Sequence, residues 1–92
     1  MPRPRLKRRI RQHPDITFYK PQGIPLKNLK SVELTLEEWE TLRLKNVLKL
    51  NQVLAAKKMN TSQSTFQRIL NTAQKKLSLA IINGMAIKIN KR

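Results

Sequence analysis

Apolar positions along this chain follow two helical periods and two extended ones. Phe66, Ile69, Leu70, Ala73, Leu77, Ala80 and Ile81 recur at three- and four-residue spacing. That stripe predicts one long helix of about four turns. Trp39, Leu42, Leu44, Val47 and Leu48 predict an earlier helix with a broad apolar side, running to about Val47. Between the two, a short helix over Gln52–Lys58 turns Val53, Leu54 and Ala56 inward and Lys57 and Lys58 outward. Outside the helices, Ile16 and Phe18 alternate with polar residues, as do Met85, Ile87 and Ile89. The period of two predicts strands at residues 16–19 and 85–89, paired as a small two-stranded ribbon on the long helix; a frayed tail is the alternative, because an isolated ribbon is marginal. Val32 and Leu34 make a further extended piece, and Leu26 and Leu29 are expected to tuck under the domain.

Local punctuation agrees with these limits. Thr35-Leu36-Glu37-Glu38 has the form of a capping box, in which the Thr35 hydroxyl and the Glu38 carboxylate each satisfy a backbone N–H at the helix start. Asn51 is placed to cap the short helix, and Ser62 to cap the long one by accepting from Ser64 or Thr65. Gly84 after Asn83 supplies a C-terminal stop. The turn between the last two helices falls at Met59-Asn60-Thr61, where Asn60 is the residue most tolerant of a left-handed backbone after glycine.

Gln52 to Asn71 therefore reads as two helices separated by a tight turn, with Ala55 and Ala56 small enough for a close crossing. Ser62, Gln63, Ser64, Gln67, Arg68 and Asn71 are left outside the apolar stripe, and amides, hydroxyls and arginine are side chains that reach base edges.

Charge strengthens this reading. The 92 residues hold 20 Lys plus Arg against 5 Asp plus Glu, a net charge of +15. All five acids (Asp15, Glu33, Glu37, Glu38, Glu40) precede residue 41, so residues 41 to 92 are basic without a compensating carboxylate. Such a half repels itself unless it meets a polyanion, which points to nucleic acid. Arg3, Arg5, Arg8 and Arg9 lie in a proline-containing segment with only Leu6 and Ile10 to anchor it, so residues 1–13 are expected to be a flexible basic arm and residues 14–92 the domain. Arg43, Lys57, Lys58 and Lys75, with those four arm arginines, are the candidate phosphate contacts.

The same inventory argues against other classes. There is no cysteine, and the single histidine, His13, sits in the arm, so neither a metal nor a cofactor is expected. No Ser/His/Asp or Cys/His set and no phosphate-cradling glycine loop is present, and no enzyme is expected. The longest apolar run, Leu79 to Ile82, is too short to span a bilayer, and a cytoplasmic protein, nucleoid-associated when bound, is the expectation.

Several segments together resemble one family: Met1-Pro2-Arg3-Pro4-Arg5, Phe18-Tyr19-Lys20-Pro21 followed by Gly23 and Pro25, Leu34-Thr35-Leu36 with Glu38, Leu42-Arg43-Leu44, Ala55-Ala56, Thr65-Phe66 with Arg68-Ile69-Leu70, and Asn83-Gly84. In this order they resemble the UPF0251 (DUF134) family of small predicted prokaryotic DNA-binding proteins, whose helical part is similar to region 4 of sigma-70-type factors. The fold class this implies is mainly α: a three-helix helix-turn-helix domain, sigma-70 region 4-like, with the basic arm and the small ribbon. The function it implies is sequence-specific binding of double-stranded DNA by a transcriptional regulator. By position, Ser62, Gln63, Ser64, Gln67, Arg68 and Asn71 fall on the groove-facing side of that motif. The chain departs from the family's pattern at Asn60, usually Gly, and at Lys45-Asn46 and Asn51-Gln52-Val53-Leu54, where relatives are acidic.

Two other binding classes compete with this one. A basic protein of this charge also suits RNA or the ribosome. A module that contacts RNA polymerase, using Trp39, Leu50 and Ile82, is the other alternative. One recognition helix is compatible with a monomer or with a homodimer on two half-sites.

Overall fold

Residues 10 and 12–90 are described by a computed structural model. The first strand, β1 (Phe18–Tyr19), is followed by a single turn of 3₁₀ helix at Leu26–Asn28 and by β2 (Ser31–Leu34). Helices α1 (Leu36–Leu42), α2 (Gln52–Lys58) and α3 (Gln63–Asn83) come next, and β3 (Ala86–Ile89) ends the order. Among the described residues the protein is thus mainly helical, with three helices and a small three-stranded sheet.

The sheet runs β1-β3-β2, so the last strand lies in the middle. β1 pairs with it antiparallel, Phe18 opposite Lys88 and Tyr19 opposite Ile87, the expected pairing but over two residues rather than 16–19, with Ile16 outside the strand and exposed. The addition is β2, which runs parallel to β3 with Val32 opposite Ile87 and Leu34 opposite Ile89. Parallel neighbours need a long crossover; here all three helices form it. Ile87, Ile89 and Leu34 share one face of the sheet, which packs toward α1 and α3 and is covered by α3 through Ala73.

Each helix starts where its cap residue stands. The capping box of α1 is complete: Glu38 N–H donates to Thr35 Oγ1 at 3.1 Å, and Thr35 N–H to Glu38 Oε1 at 2.9 Å. Leu54 N–H donates to Asn51 Oδ1 at 2.8 Å, and Thr65 N–H to Ser62 Oγ at 3.1 Å. Helix α3 stops at Gly84, whose φ of 64° is left-handed. Asn60 also has positive φ, at 57°, and the turn lies where the sequence places it.

The first helix differs from expectation in its last turn. Regular α geometry ends at Leu42, and Arg43–Val47 form a wider π turn, closed by Leu48 N–H donating to Arg43 O at 2.9 Å. Lys49 then takes a left-handed φ of 60°, and Leu50 N–H reaches back to Leu44 O. The extra residue rotates the stripe. Leu44 stays fully buried, but Val47 is 72% exposed and Leu48 is also exposed, so neither joins the apolar side assigned to it. Three further apolar expectations are corrected. In α2 the inward residues are Ala55 and Ala56, with Met59 just beyond the helix, while Val53 and Leu54 are exposed, because the side of α2 that meets Phe66 and Leu70 carries the two alanines. In α3 the stripe holds from Phe66 to Ala80 but not at Ile81, because the sheet and α1 cover the helix on one side only. Leu29 is half-buried, whereas Leu26 in the 3₁₀ turn is exposed.

Two apolar clusters result. One gathers Leu44, Ala55, Ala56, Met59, Phe66 and Leu70, with Ile10, Leu42 and Leu50 packed against it. The other gathers Leu34, Ala73 and Ile89, with Trp39 and Leu42 against it. Two sets of polar ties accompany them. Arg43 grips the fully buried Glu40 with Nε on Oε1 and Nη2 on Oε2, both at 2.8 Å. Lys76 of α3 donates to Glu38 Oε1 at 2.8 Å and to Glu33 O at 2.7 Å, which fastens the long helix to α1 and β2 together.

Candidate nucleic-acid interface

The start of α3 is where the polar residues of the Gln52–Asn71 stretch come together. Helix α2 crosses beneath it, with Ala55 and Ala56 in contact with the cluster that holds Phe66 and Leu70. With that side buried, the geometry of a helix sends the intervening positions outward. Ser62, Gln63, Ser64, Arg68 and Asn71 are exposed, and Gln67 is half-buried at the edge where α2 meets α3. All six lie within about two and a half turns of one rigid element.

Several of these side chains are already oriented by neighbours. Ser62 Oγ is the helix cap, and it also donates to Thr65 Oγ1 at 2.9 Å, with Ser64 Oγ 3.3 Å away. Its hydroxyl therefore holds the turn as well as facing solvent. Gln67 Nε2 donates to Asn71 Oδ1 at 2.7 Å, the spacing at which Gln and Asn meet on a helix surface. Gln67 Oε1 in turn accepts from Gln52 Nε2 at 2.9 Å, and the same Gln52 nitrogen lies 3.2 Å from Gln63 O. Gln52 was not among the residues singled out from sequence. Fifteen positions separate it from Gln67, and only the crossing of the two helices brings their amides together.

The cations have different surroundings. Lys57 and Lys75 are exposed and Lys58 is half-buried, so these three remain available to an anion. Arg43 differs from these three. Its guanidinium is engaged in a bidentate pair with buried Glu40, whose hydrogen bonds push its pKa further above the ordinary arginine value against the opposing effect of burial. It neutralises an internal carboxylate. Arg3, Arg5, Arg8 and Arg9 lie outside the described residues. At the inner end of the arm, Ile10 packs against the first cluster and Pro14 is buried, while His13 is exposed.

Of the residues considered for a protein contact, Trp39 and Leu50 are half-buried and pack on the two clusters, and Ile82 is 81% exposed. Among the described residues, no helix is long and apolar enough to cross a membrane, and no group of three His, Cys, Asp or Glu side chains is placed to hold a metal ion.

Comparison with known proteins places this architecture in a family. The family model described as "Protein of unknown function DUF134" matches residues 1–91. A UPF0251 protein of Dehalococcoides mccartyi is 49% identical over 89 residues, covering 97% of this chain and 76% of the relative. UPF0251 proteins of Pelotomaculum thermopropionicum and Caldanaerobacter subterraneus are each 45% identical over 89 residues, 97% of this chain, with 67% and 75% of their own lengths covered. No solved structure gives a significant match. With the family model spanning nearly the whole sequence and relatives at this identity, the chain belongs to the DUF134 family, the UPF0251 proteins.

Proposed function

We propose that this protein binds double-stranded DNA sequence-specifically as a transcriptional regulator, with the first turns of α3 in the major groove, in the manner of a sigma-70 region 4-like helix-turn-helix. One observation carries this reading: an exposed set of amides, hydroxyls and one arginine, on the start of a single helix, stands directly over a buried crossing of small residues. That arrangement gives a groove-sized rod, a polar reading edge and a rigid base. The absence of any acid after residue 40 supplies the attraction to phosphate. In this reading Arg68 takes guanine or a nearby phosphate, Gln63, Gln67 and Asn71 face base edges, and Ser62 and Ser64 take phosphate or smaller base contacts. Lys57, Lys58 and Lys75 set register through phosphates, and the arm adds a second basic contact. The chemistry is binding rather than catalysis, without a cofactor.

A second reading, RNA binding, draws support from β1, where Phe18 and Tyr19 are both exposed on the sheet edge. Exposed aromatics on a sheet are platforms for unpaired bases. Competition at physiological salt separates the two. The DNA reading expects a complex with a selected duplex that survives excess structured RNA, and expects Lys58→Ala to weaken all duplexes about equally. Displacement by RNA at equal concentration, or loss of RNA binding alone in a Phe18→Ala/Tyr19→Ala variant with duplex binding absent throughout, would overturn it.

A further inference from the structure

The cluster of Leu34, Ala73 and Ile89 does not close on itself, and a cavity of about 500 Å³ opens beside it. Its lining is drawn from all three strands, α1, the π turn and α3. Leu34 and Ile89 are buried and mark its deep end, whereas Tyr19 and Val47 are exposed and mark its mouth. A hollow of this size in a domain of 92 residues costs the surrounding side chains their packing partners. Water fills it poorly, because the lining is almost wholly hydrocarbon and a held water needs about two to four polar partners.

The lining also defines the chemistry of a better occupant. A peptide segment would bring backbone N–H and C=O groups that lose water there and find almost nothing to bond in return. Among the described residues Arg43 is the one charged group at the cavity, and its charge is balanced by the Glu40 carboxylate that it grips with two nitrogens. Trp39 and Tyr19 present ring surface, against which another ring packs well. The volume lies within the range usual for a small-molecule site, about 300–1,000 Å³. We propose that this cavity binds a small, uncharged, largely hydrocarbon molecule with an aromatic body. None of the six polar residues at the start of α3 lines it, so its occupancy does not depend on DNA binding.

N-Phenylnaphthylamine is a probe of this class, uncharged at neutral pH and fluorescent in apolar surroundings. Trp39, the only tryptophan in the chain, lines the cavity and serves as the donor for energy transfer to it. One probe per full chain is expected, with transfer from Trp39 and, at about tenfold excess over the dissociation constant, a rise of roughly 5 °C in the thermal midpoint. Methyl NMR of the wild type locates the probe: resonances of Leu34, Leu77, Ile87 and Ile89 should shift, and those of Ile81 and Ile82, exposed at the end of α3, should not. Filling the cavity with Leu77→Phe/Ile87→Phe should abolish the transfer with helix content kept; if that variant does not fold, the wild-type methyl shifts decide. The anionic analogue, anilinonaphthalene sulfonate, should need about tenfold more or higher to shift the same methyls, because its charge would lose water without gaining a free partner. Absence of lining-methyl shifts up to the solubility of the probe, shifts confined to Ile81 and Ile82, or transfer that persists in the folded filled variant would overturn the site. Lining-methyl shifts at lower concentrations of the sulfonate than of the neutral probe would overturn the uncharged class of ligand.

Discussion

The two apolar clusters lie along the same helix and are built differently. Beneath the first turns of α3, Phe66, Met59, Leu44 and Ala55 are all fully buried, and the crossing is closed. Beneath its later turns, the second cluster has only Leu34, Ala73 and Ile89 at its centre, and beside it opens a cavity of about 500 Å³ walled by Trp39, Leu42, Leu77 and Ile87. One end of α3 rests on a closed cluster and the other borders open space. The difference bears on the proposed function, since a face that reads DNA needs its supporting residues held in place, whereas the sheet end would have only to join the termini of the helical unit.

The largest expected effect follows from the closed end. Phe66→Ala should destabilise the fold by about 4 kcal/mol, because a fully buried aromatic leaves a cavity that the alanine crossing cannot collapse into. Ile89→Ala at the open end should lose only about 2 kcal/mol, as its neighbours already border open space. Urea unfolding of both variants checks the contrast, and equal losses would mean that the clusters are equally tight. Between these lies Arg43→Ala, which strips the buried Glu40 of its bidentate partner and should destabilise by about 3 kcal/mol in the same measurement. A weaker loss, with affinity for duplex reduced instead, would return Arg43 to the phosphate contacts.

The smallest effects concern two left-handed residues that frame α2. Lys49→Gly should raise stability by about 0.5–1 kcal/mol, since an ordinary side chain at φ 60° is strained. Asn60→Gly should change it by less, because asparagine tolerates that conformation and glycine adds freedom to the unfolded chain. Thermal unfolding of the pair ranks them; marked destabilisation by Asn60→Gly would contradict the turn as described.

These two positions also show where the sequence was readable. Asn60 was legible as a left-handed turn because asparagine favours one, and Thr35, Asn51, Ser62 and Gly84 announced the helix limits through local chemistry. Lys49 carried no such mark; its conformation follows from the π turn before it, which no residue in Arg43–Val47 signals. The same turn explains why Val47 and Leu48, apolar at helical spacing, lie outside the core. β2 appeared only as an extended piece, because its partner lies more than fifty residues on and a four-residue parallel strand has no local signature. At the candidate site, the six polar positions were visible from the gaps in the apolar stripe. Arg43's partner was not, although Glu40 stands three residues before it on the same helix, because depth decides whether such a pair is surface decoration or a buried tie. Gln52 was invisible for a different reason: its bond to Gln67 exists only once α2 and α3 cross.

In the proposed function, the exposed side of α3 near Ser62–Asn71 reads duplex DNA. It is tested most directly by selecting bound duplexes from a random pool with the wild-type chain and with a Gln63→Ala/Gln67→Ala double variant. The expected result is one enriched site for the wild type and loss of preference at one or two positions of that site for the variant, with non-specific affinity retained. An identical site from both proteins, or no enriched site from the wild type, would contradict it.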